Sequence, residues 1–120
     1  MIVPKKTAAD PHLTRDSAAR KRQPIATGVI AYFPRALAAI AEVSRRGNEK
    51  HNPGAPLHWA KEKSTDEADS AMRHICDALE FGPQALDAEG VPHLRSACWR
   101  MLAWLERVEE GDDRWRTVAK

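Results

Sequence analysis

The sequence predicts an all-α fold on three observations. Apolar residues recur at three- and four-residue steps in three separate stretches, the period of an amphipathic helix. Each stretch is bounded by residues that start or stop helices: Pro34 and Gly47, Ser64 and Gly82-Pro83, Pro92 and Gly111. No stretch alternates apolar and polar residues for long enough to make a strand.

The chain opens with a basic segment. Pro4, Pro11 and Pro24 with few hydrophobic residues mark residues 1–24 as a flexible arm. It holds six Lys/Arg against two acids, whereas the remainder, 25–120, holds 13 bases against 15 acids. Such an arm reads either as a solvated leader or as a segment making weak nonspecific contact with nucleic acid through phosphates. Thr14 or Asp16 is positioned to cap a short helix over 14–22, which has no apolar stripe to hold it. Residues 25–120 read as a single helical domain.

In the first main stretch Val29, Phe33, Leu37, Ile40 and Val43 fall on one face. Pro34 suits a first turn, where its missing N–H has no partner in any case. The helix is expected from Pro34 to Arg46 and to stop at Gly47, with Arg45 and Arg46 at its negative end. Asn48 to Lys63 is expected as a loop, broken by Asn52-Pro53-Gly54-Ala55-Pro56, with Trp59 plugged back onto the core. The second helix opens at Ser64-Thr65-Asp66-Glu67, where Ser64 and Glu67 have capping-box spacing. Its expected buried stripe is Ala68, Ala71, Met72, Ile75 and Leu79, with Cys76. After a loop from Gln84 to Val91, the third helix runs from Pro92 to Glu109. It is expected to bury Leu94, Ala97, Cys98, Met101, Leu102, Leu105 and Val108. Connections of this length between helices tend to be functional. The stripes, with Trp99 and Trp104, hold more apolar surface than one subunit covers, so a dimer or tetramer packed through large side chains is expected.

Composition narrows the class. The 120 residues are 42% apolar and 30% charged, the balance of one globular domain. No run approaches the roughly 18 apolar residues of a bilayer span, and Met1 to Lys6 lacks the apolar stretch of a secretory signal. The chain reads as soluble and intracellular, with no membrane partner. Cys76 and Cys98 lie in apolar helical patterns and read as buried free thiols, without the companions a zinc site needs.

Chemistry-bearing groups gather near the helix ends. His74 and Asp77, three apart, bring an imidazole and a carboxylate together as a metal pair or an acid-base pair. A half-buried histidine with no ligand fits the same spacing. Asp69, Arg73 and Asp77 lie along one face, which serves equally as a salt-bridged solvent face. Asp87-Ala88-Glu89-Gly90-Val91-Pro92-His93 offers oxygens for a divalent cation, or acids that complement the start of a helix. Lys50 and His51 follow the first helix, where a lysine can neutralise a phosphate, and Glu42 sits at the edge of the apolar stripe, where a carboxylate seeks a cation or metal.

Together these clusters resemble a known family. Pro34-Arg35-Ala36-Leu37, Ala41-Glu42-Val43, Gly47, Lys50-His51, Trp59, Ala71-Met72-Arg73-His74 and Asp87-Ala88-Glu89-Gly90-Val91-Pro92-His93-Leu94 resemble the small phage and prophage dATP/dGTP diphosphohydrolase N-terminal domain. The resemblance covers about residues 24–110. It implies an all-α nucleotide pyrophosphohydrolase similar to MazG-like enzymes that use carboxylate-bound Mg²⁺, in the cytoplasm of the host where phage-encoded. The MazG-like Glu-x-x-Glu and Glu-x-x-Asp pattern is absent, and Asp66-x-x-Asp69 and His74-x-x-Asp77 come nearest. On this reading purine deoxynucleoside triphosphates are cut to monophosphate and pyrophosphate. Asp77, Asp87, Glu89 and Glu42 are the Mg²⁺ candidates, and His74, His93 and Asp77 handle protons. Lys50, Arg73 and His51 grip phosphate, and Trp59 stacks on the base. The alternative is a non-catalytic protein that captures a nucleotide or a cyclic nucleotide signal in the same pocket. Converging carboxylates separate the two, because two-metal catalysis requires at least three or four.

Overall fold

The computed structural model describes residues 13–116. Twelve residues of the basic arm, including Lys5 and Lys6, lie outside the described residues. The fold is all-α: α1 (Ser17–Lys21), α2 (Pro34–His51), α3 (Glu67–Phe81) and α4 (His93–Glu109), with a π-helical turn over Ala26–Ile30 and 3-10 turns over Lys61–Lys63 and Arg114–Arg116. Among the described residues no strand forms, apart from one isolated antiparallel bridge between Leu86 and Pro92. No single helix there is long and apolar enough to cross a membrane.

The chain divides into two compact units within α2, after Ala38. In the first, Asp16 caps α1 by accepting the Ala19 N–H at 2.8 Å, and nothing in this helix is buried. Val29, expected on the stripe of the first main helix, lies in the π-helical turn ahead of Pro34. Tyr32 and Phe33 meet edge to face, with ring centres 6.0 Å apart.

The second unit carries every candidate site residue. Here α2 runs past Gly47 to His51, four residues beyond the expected stop. Gly47 keeps a negative φ, and the chain turns at Gly54, with φ 79°. Asn48 organises that turn: its side-chain amide donates to the Ala55 carbonyl at 2.8 Å and its Oδ1 accepts the His58 N–H at 3.2 Å. The capping box expected at Ser64 and Glu67 does not form. Ser64 Oγ donates to Asp66 Oδ1 at 2.6 Å, and Glu67 turns inward and is fully buried. At the other end Gly82, with φ 107°, closes α3 and donates its N–H to the Ala78 carbonyl at 3.0 Å.

Packing of α3 on α4 buries faces that differ from the expected ones. The buried positions are Glu67, Ser70, Ala71 and Ala78 on α3, and Ser96, Ala97, Ala103 and Arg107 on α4. Small side chains let the helices approach, and Glu67 on α3 meets Arg107 on α4 between them. Met72 and Leu79 on α3, and Leu94, Met101, Leu102, Leu105 and Val108 on α4, are exposed instead, and so is Cys76. Of the expected buried stripes, only Ala71 and Ala97 are fully buried.

A buried cation joins α4 to the segment before α3. Arg107, 2% exposed, lies with its Nε 3.2 Å from Glu67 Oε1, and its Nη1 donates to Asp112 Oδ2 at 3.1 Å. Its Nη2 donates to the Ser64 carbonyl at 2.7 Å and to that of Lys61. The Glu67 contact is ionic, without hydrogen-bond alignment. Trp59 does plug back: its ring meets Trp99 edge to face at 5.5 Å, with Lys61 Nζ 4.9 Å and Arg107 Cζ 5.5 Å from a Trp59 ring centre.

Candidate functional site

The site grows from the junction of α3 and α4. His74 sits mid-way along α3, and His93 is the first residue of α4, so docking the helices brings the two rings together. Their Nδ1 atoms are 3.0 Å apart, with ring centres at 5.2 Å. Asp77, one turn after His74, places Oδ2 3.8 Å from His93 Nδ1. A 3.0 Å contact between two ring nitrogens holds one proton, so one Nδ1 donates and the other accepts. Asp77 Oδ2 lies beyond hydrogen-bond distance of His93 Nδ1, and its negative charge favours the proton there. His93 Nε2 then carries a lone pair, and His74 Nε2 carries a hydrogen. The pair so assigned offers one acceptor and one donor.

Burial pushes the His74 imidazole below its ordinary value of 6.5; His93 and Arg100 act in the same direction, while Asp87 and Asp77 oppose it. A histidine whose folded pKa is depressed takes up more protons unfolded, so its contribution holds above 6.5 and is lost as the pH falls from there towards the folded value. Urea unfolding at pH 7.5 and pH 5.5 is expected to show lower stability at the acid value, with a smaller drop in a His74→Gln variant. Equal drops in both proteins would assign the acid sensitivity elsewhere.

The loop before α4 is held by Asp87. Its Oδ1 accepts the N–H groups of Glu89 at 2.9 Å and Val91 at 3.0 Å, and its Oδ2 accepts Ser96 Oγ at 3.0 Å. Burial raises this carboxyl, but the hydrogen bonds from Val91, Ser96 and Glu89 outweigh it and hold Asp87 below the usual range. Gly90 turns the loop at φ 78°, and a Cβ there would lie 3.1 Å from Arg46 Nη2, which donates to the Glu89 carbonyl at 2.8 Å. Gly90→Ala is expected to cost about 1–2 kcal/mol, the left-handed penalty of a side chain, and to displace Arg46. A thermal melt checks this, and an unchanged midpoint would contradict it.

The remaining expected site residues are engaged elsewhere. Lys50 Nζ pairs with Glu89 Oε1, both about half exposed. Glu42 pairs with Arg45, which also reaches Glu49 Oε1 at 2.5 Å. Arg73 pairs with Asp66 at 3.3 Å, not with Asp69 or Asp77. His51 is exposed at the end of α2. Trp59 is packed against Trp99, whose Nε1 donates to Ser44 Oγ at 2.7 Å. The structure thus unites His74, His93 and Asp77, and separately Lys50 with Glu89.

The carboxylates expected to hold Mg²⁺ do not converge. Among the described residues no group of three or more His, Cys, Asp or Glu side chains is arranged to hold a metal ion. Both Asp87 oxygens are taken by protein donors, Glu89 faces a lysine and Glu42 an arginine. These residues do not fit a Mg²⁺ cage as they stand.

Sequence reasoning missed Ser44, Ser96 and Arg107. Ser96 and Arg107 lie on the same face of α4 as Ala103, and the small residues Ser96 and Ala103 on that face were the signal available. Nothing in the spacing marks Ser44.

A family model described as dATP/dGTP diphosphohydrolase, N-terminal, matches residues 14–114, a span that takes in every residue of the site. No curated protein and no solved structure matches the chain.

Proposed function

The chain belongs to the dATP/dGTP diphosphohydrolase N-terminal family, and on that footing we propose that it serves the hydrolysis of purine deoxynucleoside triphosphates to monophosphate and pyrophosphate. The observation that carries this reading is the imidazole pair, His74 and His93 at 3.0 Å with Asp77 beside them. In the reaction a water oxygen bonds to the α-phosphorus, the bond to the bridging oxygen breaks, and pyrophosphate leaves. His93 Nε2 takes the proton of the attacking water, and Asp77 stabilises the imidazolium that forms. His74 Nε2–H donates to a phosphate oxygen and so stabilises the charge that develops there. Lys50 and Arg73, both on exposed ion pairs, exchange carboxylate for phosphate at little cost, because such pairs are worth about 0–1 kcal/mol.

A second reading is capture of a nucleotide or cyclic nucleotide without turnover. It is favoured by the engagement of both Asp87 oxygens with protein donors, and among the described residues no three His, Cys, Asp or Glu side chains are arranged to hold a metal ion. Incubation with dATP or dGTP and Mg²⁺, followed by anion-exchange chromatography, separates the two. Monophosphate and pyrophosphate in equal amounts are expected. Nucleotide retained intact would establish the binder, and nucleotide neither cut nor retained would sink both readings.

A further inference from the structure

The apolar residues that α4 leaves exposed follow a coiled-coil seam. Leu94, Cys98, Met101, Leu105 and Val108 are spaced 4-3-4-3, the step of alternating a and d positions, over nearly the whole helix. Leu94, Met101, Leu105 and Val108 are each 39–56% exposed, and Cys98 is half-buried. Of the buried positions of α4, Ser96, Ala103 and Arg107 lie on the opposite side, and Ala97 lies on the flank away from Leu102. The seam therefore lies outside the α3–α4 contact.

Charge on the flank identifies which helix. Leu102, 47% exposed, lies beside the seam, with Arg95 seven residues before it and Glu109 seven after. All three share one flanking heptad position. When a second copy of α4 lies antiparallel and centred on Leu102, Arg95 of each copy comes level with Glu109 of the other, and Leu102 meets Leu102 on the twofold axis. Neither Arg95 nor Glu109 makes an ion pair among the described residues. A parallel pair would instead set Arg95 level with Arg95 and Glu109 level with Glu109. Flanking charges of this kind decide orientation in helix pairs, and a self-complementary surface is what a twofold dimer requires.

We propose that the exposed face of α4 is a homodimer interface, in which two copies pack antiparallel along Leu94, Cys98, Met101, Leu105 and Val108 with reciprocal Arg95–Glu109 pairs. The interface stands apart from the nucleotide reading and does not depend on it. The antiparallel register also separates the thiols. Each Cys98 is four residues from the axis, which puts the two roughly 12 Å apart along the helix at 1.5 Å per residue, beyond the reach of a disulfide.

Sedimentation equilibrium on the full chain, with circular dichroism to confirm that each variant folds, tests the proposal. A dimer is expected at micromolar concentration. Arg95→Glu and Glu109→Arg are each expected to weaken it about tenfold or more, since each sets like charges together twice. The combined swap is expected to return the dissociation constant to within about threefold of the parent. A monomer at tens of micromolar would overturn the interface. A dimer indifferent to the single reversals, a combined swap that fails to rescue, or ready formation of a Cys98–Cys98 disulfide in a Cys76→Ser background would overturn the antiparallel register.

Discussion

Arg107→Ala is expected to remove about 3–5 kcal/mol of folding stability, the cost of stranding one partner of a buried ion pair. Glu67 is fully buried, and its nearest cation is Arg107, 3.2 Å away. The same guanidinium serves Asp112 and the carbonyls of Lys61 and Ser64, so alanine also leaves acceptors without their donor. Against the 5–15 kcal/mol that holds an ordinary domain, such a loss leaves little in reserve. Equilibrium urea unfolding measures it. A Glu67→Leu/Arg107→Leu double variant separates the charge from the shape. If the penalty is stranded charge, the double variant recovers much of it, as buried pairs replaced by apolar residues often do. A double variant as unstable as Arg107→Ala would instead assign the loss to the carbonyls and to Trp59, which lies 5.5 Å from the guanidinium.

The second large effect concerns turnover. His93→Ala is expected to lower kcat by about 10²–10⁴-fold, the range for loss of a general base, with circular dichroism unchanged. His74→Ala is expected to act on both kcat and KM, because its Nε2–H meets phosphate in the bound substrate as well as in the transition state. Asp77→Asn keeps the shape and removes the charge 3.8 Å from His93 Nδ1. It is expected to lower kcat, since the imidazolium that forms in the reaction loses its neighbouring anion. Full activity in His93→Ala would remove the imidazole pair from the chemistry.

The fold class was legible because period and punctuation agreed along three helices. Faces were harder. Apolar spacing marks a stripe without saying what covers it, and in α3 and α4 the helices meet through Ser96, Ala97, Ala103, Ser70, Ala71 and Ala78. Leu79, expected in the core, is 83% exposed. A glycine after two arginines reads as a helix end, yet Gly47 keeps helical φ and the turn falls at Gly54. Capping-box spacing at Ser64 and Glu67 was misleading because Glu67 has a buried cation to meet, a long-range partner that no local pattern reveals. In the site, His74 and Asp77 were legible as neighbours on one helix. Their approach to His93 required the docking of two helices. Asp87 and Glu89 looked like cation ligands by type, but an Asp two residues before a backbone N–H readily folds into a turn, and Asp87 does so.

The most direct measurement is a two-dimensional ¹H–¹⁵N spectrum of the imidazole groups, recorded while dATP is added to the intact protein. If His74 and His93 engage the triphosphate, their ring nitrogens shift together and saturate at one dissociation constant, ahead of changes elsewhere. Imidazole signals that stay in place while the protein binds or cleaves dATP would contradict that assignment.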